Sequence, residues 1–206
     1  LIMPMRMIGH IVNMFSRTSA SAERIFNILE TEAEIKNIDN PIKVDRIKGE
    51  VEFKNVSLSY EEEDILKNIS FQASPGETVA VMGATGSGKT SLINLIPRYY
   101  EVTEGQVLID GIDNRNYDLQ NLRSQVSIVM QDVFLFSESI ASNIAYGQPG
   151  LDLEKIKSAA AVSSAREFIE EMKAGFEEVI GERGMGLSGG QKQRVSLARA
   201  IVEESP

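Results

Sequence analysis

The glycine-rich segment GATGSGKT at 83–90 carries the most definite chemistry in this chain of 206 residues. It matches G-x-x-x-x-G-K-[ST] at each fixed position, follows a short apolar run and precedes a helical pattern. The backbone N–H groups of such a loop turn toward phosphate oxygens, a lysine adds positive charge, and a hydroxyl reaches Mg²⁺. The segment therefore predicts a site for ATP and Mg²⁺. Its candidate ligands are Gly83, Thr85, Gly86, Ser87, Gly88, Lys89, Thr90 and Ser91, with Lys89 as the cation for the β- and γ-phosphates and Thr90 as the metal ligand.

A second anion site is predicted at LSGGQ, residues 187–191. Its serine hydroxyl and unhindered glycine N–H groups stand at the start of a predicted helix, where the helix dipole favours negative charge. If the two sites lie far apart on one chain, they cannot both contact one phosphate group. The candidate ligands here are Ser188, Gly189, Gly190 and Gln191.

The composition excludes several classes of function. A formal net charge of −9 argues against a nucleic-acid surface, which usually carries a basic stripe. The chain has no cysteine, so it forms no disulfide and no thiolate metal site. Its one histidine, His10, cannot build a multi-histidine metal site. No stretch reaches the roughly 18 uninterrupted apolar residues that a membrane span needs.

The hydrophobic pattern predicts the elements that must position these residues. Period-2 alternation predicts strands at 51–60, with a bulge near Asn55, at 69–73 and at 107–109, followed by a turn at Asp110-Gly111. Short apolar runs at 78–82 and 127–130 predict buried parallel strands. Helical spacing predicts helices at 1–30, at 90–96, at 118–122 with Asp118 as N-cap, at 139–172 with an interruption at 147–150, and at 188–202.

These elements suggest three parts: an amphipathic helix at 1–30, a polar linker at 31–48 and a domain at 49–206, with a helical subdomain at about 132–200. The chain begins inside a helical pattern and ends directly after one. We therefore expect it to be an internal piece of a longer polypeptide.

Together, GATGSGKT and LSGGQ resemble the nucleotide-binding domain of an ATP-binding cassette (ABC) protein. The resemblance implies an α/β fold of the P-loop NTPase type. It would have a RecA-like parallel core sheet, an antiparallel β subdomain and an α-helical signature subdomain, and it would be C-terminally incomplete. By the same resemblance, Tyr60 stacks on adenine, and Gln131 of IVMQD contacts Mg²⁺ or the attacking water as a catalytic residue with Lys89. The LSGGQ segment acts in trans, on the ATP of a second subunit.

Other segments resemble exporters in particular. By resemblance, the helix at 1–30 is the cytoplasmic end of the last transmembrane or coupling helix of an exporter, and residues 21–30 are similar to the stretch that leads from it into the domain. GERG at 181–184 is characteristic of exporter domains. FLFS at 134–137 fits a surface that receives a coupling helix. The implied partners are a second nucleotide-binding domain, in a homo- or heterodimer, and a transmembrane domain of the same polypeptide, with no nucleic acid. The implied location is the inner or plasma membrane, with this portion on the cytoplasmic side.

The family's hydrolytic Asp and Glu stand at the end of an apolar strand after the signature helix, and the switch histidine follows. Glu203 and Glu204 end a helix without such a strand, so we expect no competent hydrolysis from these residues alone. We also expect the acidic residues 61–64 to be a solvated loop, and the cations Lys192, Arg194 and Arg199 to be ordinary solvated or dipole-compensating charges. Two alternatives stay open: a degenerate, non-hydrolysing half of a heterodimeric exporter, and, less favoured, a soluble ABC ATPase in DNA repair or translation.

Overall fold

The structure is a computed structural model that describes residues 2–60, 63–148, 150–203 and 205, with side chains described from Met7 onward. It divides into two compact units, Leu1–Lys36 and Asn37–Pro206. The predicted acidic loop at 61–64 therefore lies partly outside the described residues, as does Glu204.

The first unit is built on one long helix, α1, at Ile2–Glu30. This confirms the helix predicted from the periodicity. Within the unit, the large apolar side chains described on α1 are exposed, among them Ile11, Phe15 and Ile28. Among the residues that the structure describes, no helix combines the length and the hydrophobicity needed to cross a membrane.

The second unit contains a four-stranded antiparallel sheet in the order β2-β1-β3-β4. The strands are β1 at Val51–Tyr60, β2 at Glu63–Ala73, β3 at Glu104–Ile109 and β4 at Ile112–Asp113. The register of β1 against β2 shifts between Phe53 and Val56, and Asn55 has a left-handed φ of 48°. The predicted bulge near Asn55 is thus confirmed.

A two-residue turn joins β3 and β4. Ile109 pairs with Ile112, and the intervening Asp110 and Gly111 have φ values of 51° and 77°, as a type I′ hairpin turn requires. This confirms the turn predicted from the Asp-Gly dipeptide. The Asp110 carboxylate also accepts hydrogen bonds from the backbone N–H groups of Lys48 and Glu50.

Residues 37–48, the later part of the predicted linker, pack within the second unit. Asn37 donates to the Asp118 carboxylate at 2.9 Å and accepts from the Leu119 N–H at 2.8 Å. Val44 exchanges two hydrogen bonds with the Asn121 amide, both of 3.0 Å. This part of the chain is therefore fastened to the start of α3, a helix at Leu119–Arg123 whose N-cap is Asp118, as predicted.

Three hydrophobic clusters lie among the described residues of the second unit; a small one joins Ile47, Ile109, Tyr117 and Leu122, and the other two are larger. In the first of these two, the sheet packs on α2 at Lys89–Leu95, and Phe53, Val56, Leu95 and Val107 are buried between them. The second lies among four helices, and its most buried members include Ile140, Ile144, Ala160, Ile169, Val195 and Ala198. These helices are α4 at Ile140–Ile144, α5 at Leu153–Val162, α6 at Arg166–Glu170 and α7 at Gly189–Val202.

The helical region has one more interruption than the periodicity predicted. Helix α5 ends in a Schellman motif, in which the Ala165 N–H donates to Ala160 O at 2.7 Å and the Ser164 N–H to Ala161 O at 3.0 Å. Ser164 takes the left-handed conformation that this motif needs, with φ 57°. Apolar spacing alone could not reveal the break because the buried face continues on both sides of it.

The two predicted parallel strands are wrong for the described residues. Segments 78–82 and 127–130 have no strand assignment, and Met82 is 91% exposed. A strand needs a hydrogen-bonded neighbour, and the sheet that the described residues form is antiparallel, at β1–β4. The apolar runs were recognised correctly, but their side chains are not buried against a parallel sheet here.

Gly105 on β3 lies against the backbone of the bulge at Asn55. A Cβ at this position would lie 2.3 Å from Asn55 O, and φ is +82°. Gly111 has a similar φ of +77° with no atom within 4 Å of an added Cβ. We expect Gly105→Ala to lower the free energy of unfolding by about 3 kcal/mol or more and the control Gly111→Ala by about 1 kcal/mol. Urea unfolding measures both, and equal losses would contradict the steric argument.

Candidate functional site

The glycine loop at 83–88 lies directly before α2, and two of its glycines have left-handed backbones. Gly86 and Gly88 have φ values of 83° and 82°. A Cβ on Gly88 would lie 2.8 Å from Leu66 Cδ2 and 3.1 Å from Ile65 O. Glycine at 88 is therefore needed for both conformation and space, because β2 lies against the loop.

Lys89 folds back over the loop. Its Nζ donates to the carbonyl oxygens of Gly83 at 3.0 Å and Ala84 at 2.7 Å, with Ser87 Oγ at 3.4 Å. These acceptors are neutral, and charged phosphate oxygens make stronger partners for an ammonium group. The Lys89 ammonium group therefore lies where phosphate oxygens could replace these carbonyl oxygens as its hydrogen-bond acceptors.

A cavity of about 560 Å³, here called the glycine-loop cavity, surrounds these groups. It is lined by Ile65, Gly83, Thr85, Gly86, Ser87, Gly88, Lys89, Thr90, Ser91 and Gln131. The volume falls within the usual range of small-ligand sites, roughly 300 to 1,000 Å³. The structure thus brings Gln131 together with the glycine loop, although the two are far apart in sequence.

The donor set of this cavity suits a phosphate ligand with a hard metal ion. Lys89 is the one ionised group among its described lining residues, and Thr90 and Gln131 add hydroxyl and amide oxygens. Mg²⁺ takes oxygen ligands and usually combines one or two protein ligands with phosphates and water. No group of three or more His, Asp or Glu side chains in the described part of the chain could hold a metal by itself.

Tyr60 ends β1 near the hydroxyl of Ser91 on α2. Its ring meets Tyr100 edge to face, with centroids 5.3 Å apart, and it stays 38% exposed. Burial raises the pKa of Tyr60, and the nearby Ser91 hydroxyl opposes that rise. Tyr60 does not line the glycine-loop cavity, so its contact with a base stays a prediction. Tyr100 was missed because a second tyrosine after a helix carries no local signal.

The LSGGQ segment starts α7 with a capping box. The Gln191 N–H donates to Ser188 Oγ at 3.3 Å, and the Ser188 N–H donates to Gln191 Oε1 at 2.8 Å. Both side chains therefore have a structural task, while Gly189 and Gly190 stay exposed. None of these four residues lines the glycine-loop cavity. Within the described residues, the structure does not bring the two predicted anion sites together.

Arg199 lies in the last turn of α7, which fits the dipole-compensating role predicted for it, but it is not simply solvated. Its guanidinium donates to Asn143 O at 2.8 Å, Phe134 O at 3.2 Å and Asn143 Oδ1 at 3.2 Å, and it lies over the Tyr146 ring at 5.3 Å. Burial lowers the pKa of Arg199, opposed by Tyr146 and Glu203. The arginine therefore fastens α7 to the segment at 134–146.

The other two cations on α7 also have partners. Lys192 Nζ donates to Arg183 O at 2.9 Å, which joins the GERG turn to α7. The Arg194 guanidinium lies over the Phe168 ring at 5.1 Å. Helix spacing gave no indication of these contacts, because the acceptors come from other segments.

Asn143 is the most important residue that the sequence did not reveal. It is 1% exposed, and its Oδ1 accepts from the Phe136 N–H at 2.8 Å. Its Nδ2 donates to Phe136 O and Ser139 O, both at 3.0 Å. A single amide thus holds the turn before α4 and accepts from Arg199. Nothing in the local sequence separates this asparagine from an exposed one.

An aromatic groove of about 650 Å³ lies beside this turn. Phe136 and Tyr146 line it with their rings stacked at 4.5 Å, and Phe134 meets Phe136 edge to face at 5.0 Å. Phe134 and Tyr146 are both about half exposed. The predicted receiving surface at 134–137 is thus an open aromatic surface in the second unit.

The capping box at the start of α7 should contribute measurably to the free energy of unfolding. We expect Ser188→Ala to lower the free energy of unfolding by about 1 kcal/mol, because the Gln191 N–H loses its acceptor. Ser142→Ala, on the exposed face of α4, is a less suitable control, because it would also remove a hydrogen bond, that between Ser142 Oγ and Ser139 Oγ. Ser158→Ala on α5 is the better control and should change the free energy by less than about 0.5 kcal/mol. Urea unfolding of both variants checks the difference, and equal stability would show that the box contributes nothing.

Comparison with known proteins gives a consistent picture. A family model described as ABC transporter matches residues 66–206. The chain is 46% identical to the putative multidrug export ATP-binding/permease protein YgaD of Bacillus subtilis over 98% of its own length and 35% of that protein's. It is 40% identical to the ATP-dependent lipid A-core flippase of Syntrophus aciditrophicus over 98% of this chain and 34% of the flippase.

A solved structure, of a bacterial Atm1-family ABC exporter with ATP bound, matches 98% of this chain and 36% of that one. The TM-score is 0.86 and the sequence identity 34%. The predicted fold class, a P-loop NTPase with an antiparallel β part, is confirmed by this match. The chain spans about a third of the length of the relatives it matches.

Proposed function

Since the chain belongs to the ABC transporter family, as the nucleotide-binding part of an exporter, we propose that it binds ATP with Mg²⁺ in the glycine-loop cavity. The observation that carries this proposal is the meeting of Lys89, Thr90 and Gln131 in one cavity of about 560 Å³. Their residue types suit a triphosphate and its metal ion, and the loop's glycines leave the backbone open to it.

The roles follow from position. Lys89 would exchange its contacts with the carbonyls of Gly83 and Ala84 for phosphate oxygens. Thr90 and Gln131 would hold Mg²⁺, which neutralises phosphate charge when bound. Gln131 would also orient an attacking water. Tyr60, beside Ser91, would stack on the adenine.

The whole protein would work as a dimer. Because Ser188–Gln191 do not line this chain's own glycine-loop cavity, we propose that they contact the ATP of a second nucleotide-binding domain. The dipole at the start of the 14-residue helix α7 favours an anion there. Closure on two ATP molecules would then drive transport.

The membrane partner would dock on the aromatic groove. The exposed Tyr146 ring lines this groove and the exposed Phe134 ring lies beside Phe136 at its edge, next to the turn that Asn143 holds. The relatives are described as a multidrug export protein and as lipid A-core flippases. We propose export from the cytoplasmic side of a membrane as the activity of the whole protein.

We propose that these 206 residues bind ATP with little hydrolysis. No carboxylate lies among the described residues that line the glycine-loop cavity, and Glu203 is instead hydrogen-bonded to Ser127. A degenerate half of a heterodimeric exporter is the second candidate, and the residue that would decide between the two lies outside these 206 residues. A soluble ABC ATPase is disfavoured, because the relatives named above are exporters.

Titration calorimetry of the chain with nucleotides tests the proposal. We expect saturable binding of Mg-ATP, weaker binding of Mg-ADP and none of adenosine, because the phosphates supply most of the contacts. Phosphate release in the same samples should stay near the background rate. A chain that melts cooperatively but gives no heat with Mg-ATP would contradict the binding site, and rapid release of phosphate would contradict the expected lack of hydrolysis.

A further inference from the structure

The far end of helix α2, opposite the glycine loop, is capped by side chains from another part of the chain. The last carbonyl groups of a helix have no partner within it and usually bond to water or to the following turn. Here Asn114 Nδ2 donates to Leu95 O at 2.7 Å and to Ile96 O at 3.3 Å. Arg123 continues the series, donating to Pro97 O at 3.1 Å and to Arg98 O at 2.6 Å.

The backbone that Arg123 holds is an unusual one. Arg98 has a left-handed φ of 57° and is only 5% exposed. Such a conformation is strained in a residue with a side chain and persists only when its surroundings fix it. The Arg98 guanidinium is itself paired with Glu101 and donates to Arg115 O at 3.3 Å. The turn at 97–98 is thus fixed from several sides, with Arg123 as its contact to α3.

Arg123 also carries a charge that suits this position. A cation near a helix C-terminus is favoured by the helix dipole. Helix α2 has 7 residues, so its far end lies only about 10 Å from Lys89 and Thr90. A helix this short transmits a shift at one end to the other, because it is too short to bend.

The same arginine stands in the wall of a second cavity, here called the helix-end cavity, of about 260 Å³. Arg123 lies over the Tyr99 ring at 5.0 Å there. The cavity is also lined by Met130 and Asp132, the two neighbours of Gln131. The turn after α2 and the segment that carries Gln131 therefore line the same cavity, and Arg123 contacts the turn directly.

We propose that Arg123 is a positioning residue for nucleotide binding, which holds the end of α2 against the segment at 130–132 and so keeps Thr90 and Gln131 aligned for one metal ion. This inference rests on the proposed ATP site. Helix α3 does not line the glycine-loop cavity, but in this proposal it fixes the distance between the metal-binding oxygens of Thr90 and Gln131. Replacing Arg123 should therefore weaken the binding of Mg-ATP more than it weakens the binding of metal-free ATP.

The test compares Arg123→Ala and Arg123→Lys with wild type and with Arg166→Ala. Arg166 lies on α6 in an exposed pair with Glu170 and serves as the matched arginine control. Calorimetry measures the affinity for ATP with Mg²⁺ and, separately, with EDTA. Amide hydrogen exchange measures the opening of α2 and of α7 in the ligand-free proteins.

For Arg123→Ala we expect about tenfold weaker binding of Mg-ATP and less than about threefold weaker binding of metal-free ATP. Arg123→Lys, which keeps one donor, should recover part of the loss, and Arg166→Ala should bind as wild type does. Exchange should become faster in α2 and stay unchanged in α7.

Equal losses with and without Mg²⁺, or faster exchange throughout the chain, would overturn the proposal and leave Arg123 a general stabilising residue. If the wild-type chain bound no Mg-ATP, the proposed function would fail first. The exchange measurement would then still decide whether Arg123 fixes α2 locally, since unchanged exchange in α2 overturns that claim by itself.

Discussion

Replacing Lys89 with alanine is expected to weaken Mg-ATP binding by about 30- to 150-fold. A charge-assisted hydrogen bond contributes about 2 to 3 kcal/mol, and each 1.4 kcal/mol corresponds to a factor of about ten in affinity. Lys89 is the one ionised group among the described residues that line the glycine-loop cavity, so no neighbouring cation replaces it. Titration calorimetry with Mg-ATP measures the loss directly.

The fold should survive this substitution. In the ligand-free chain Lys89 donates to two neutral carbonyls and to Ser87 in an exposed loop, so the free energy of unfolding should change by less than about 0.5 kcal/mol. Lys67→Ala is the matched control, because Lys67 lies on β2 in an exposed pair with Asp64. An affinity loss below about threefold for Lys89→Ala, or an equal loss for both variants, would contradict the assignment of the cavity.

The largest effect on stability is expected at Asn143. Asn143→Ala should lower the free energy of unfolding by about 3 to 5 kcal/mol, because the buried Phe136 N–H loses its acceptor, at about 1 to 3 kcal/mol, and three further hydrogen bonds of about 1 kcal/mol each are removed. Those three join the amide to the carbonyls of Phe136 and Ser139, which keep a backbone N–H donor each, and to Arg199. Urea unfolding followed by circular dichroism measures the change.

A neighbouring position provides the control for Asn143. Ser142→Ala, one residue earlier on the exposed side of α4, should cost less than about 1 kcal/mol, since Ser142 Oγ meets only Ser139 Oγ. Asn143→Ala should also loosen the aromatic groove, because the turn at 136–139 forms its edge. Hydrogen exchange at 134–140 that matches wild type would show that the amide does not hold this turn.

Much of the candidate site could be predicted because its parts are local in sequence. The glycine loop, the Asp110-Gly111 turn and the start of α7 at Ser188 each depend on residues within a few positions of one another. The backbone conformation that such a segment needs restricts its residue types, so the pattern is visible in the chain itself. The bulge at Asn55 was visible for the same reason, since it reverses the alternation of apolar residues.

The tertiary structure decided what comes from distant segments. It placed Gln131 in the cavity of the glycine loop, fixed the turn after α2 with Arg123, and buried Asn143 under Arg199. It also showed that the apolar runs at 78–82 and 127–130 form no strands among the described residues. A strand exists only where another strand lies beside it, and apolar residues cannot indicate that neighbour. Likewise, an arginine or asparagine side chain can face water or bond to a buried carbonyl, and the sequence does not distinguish the two cases. Only the packing of the elements supplies its partner.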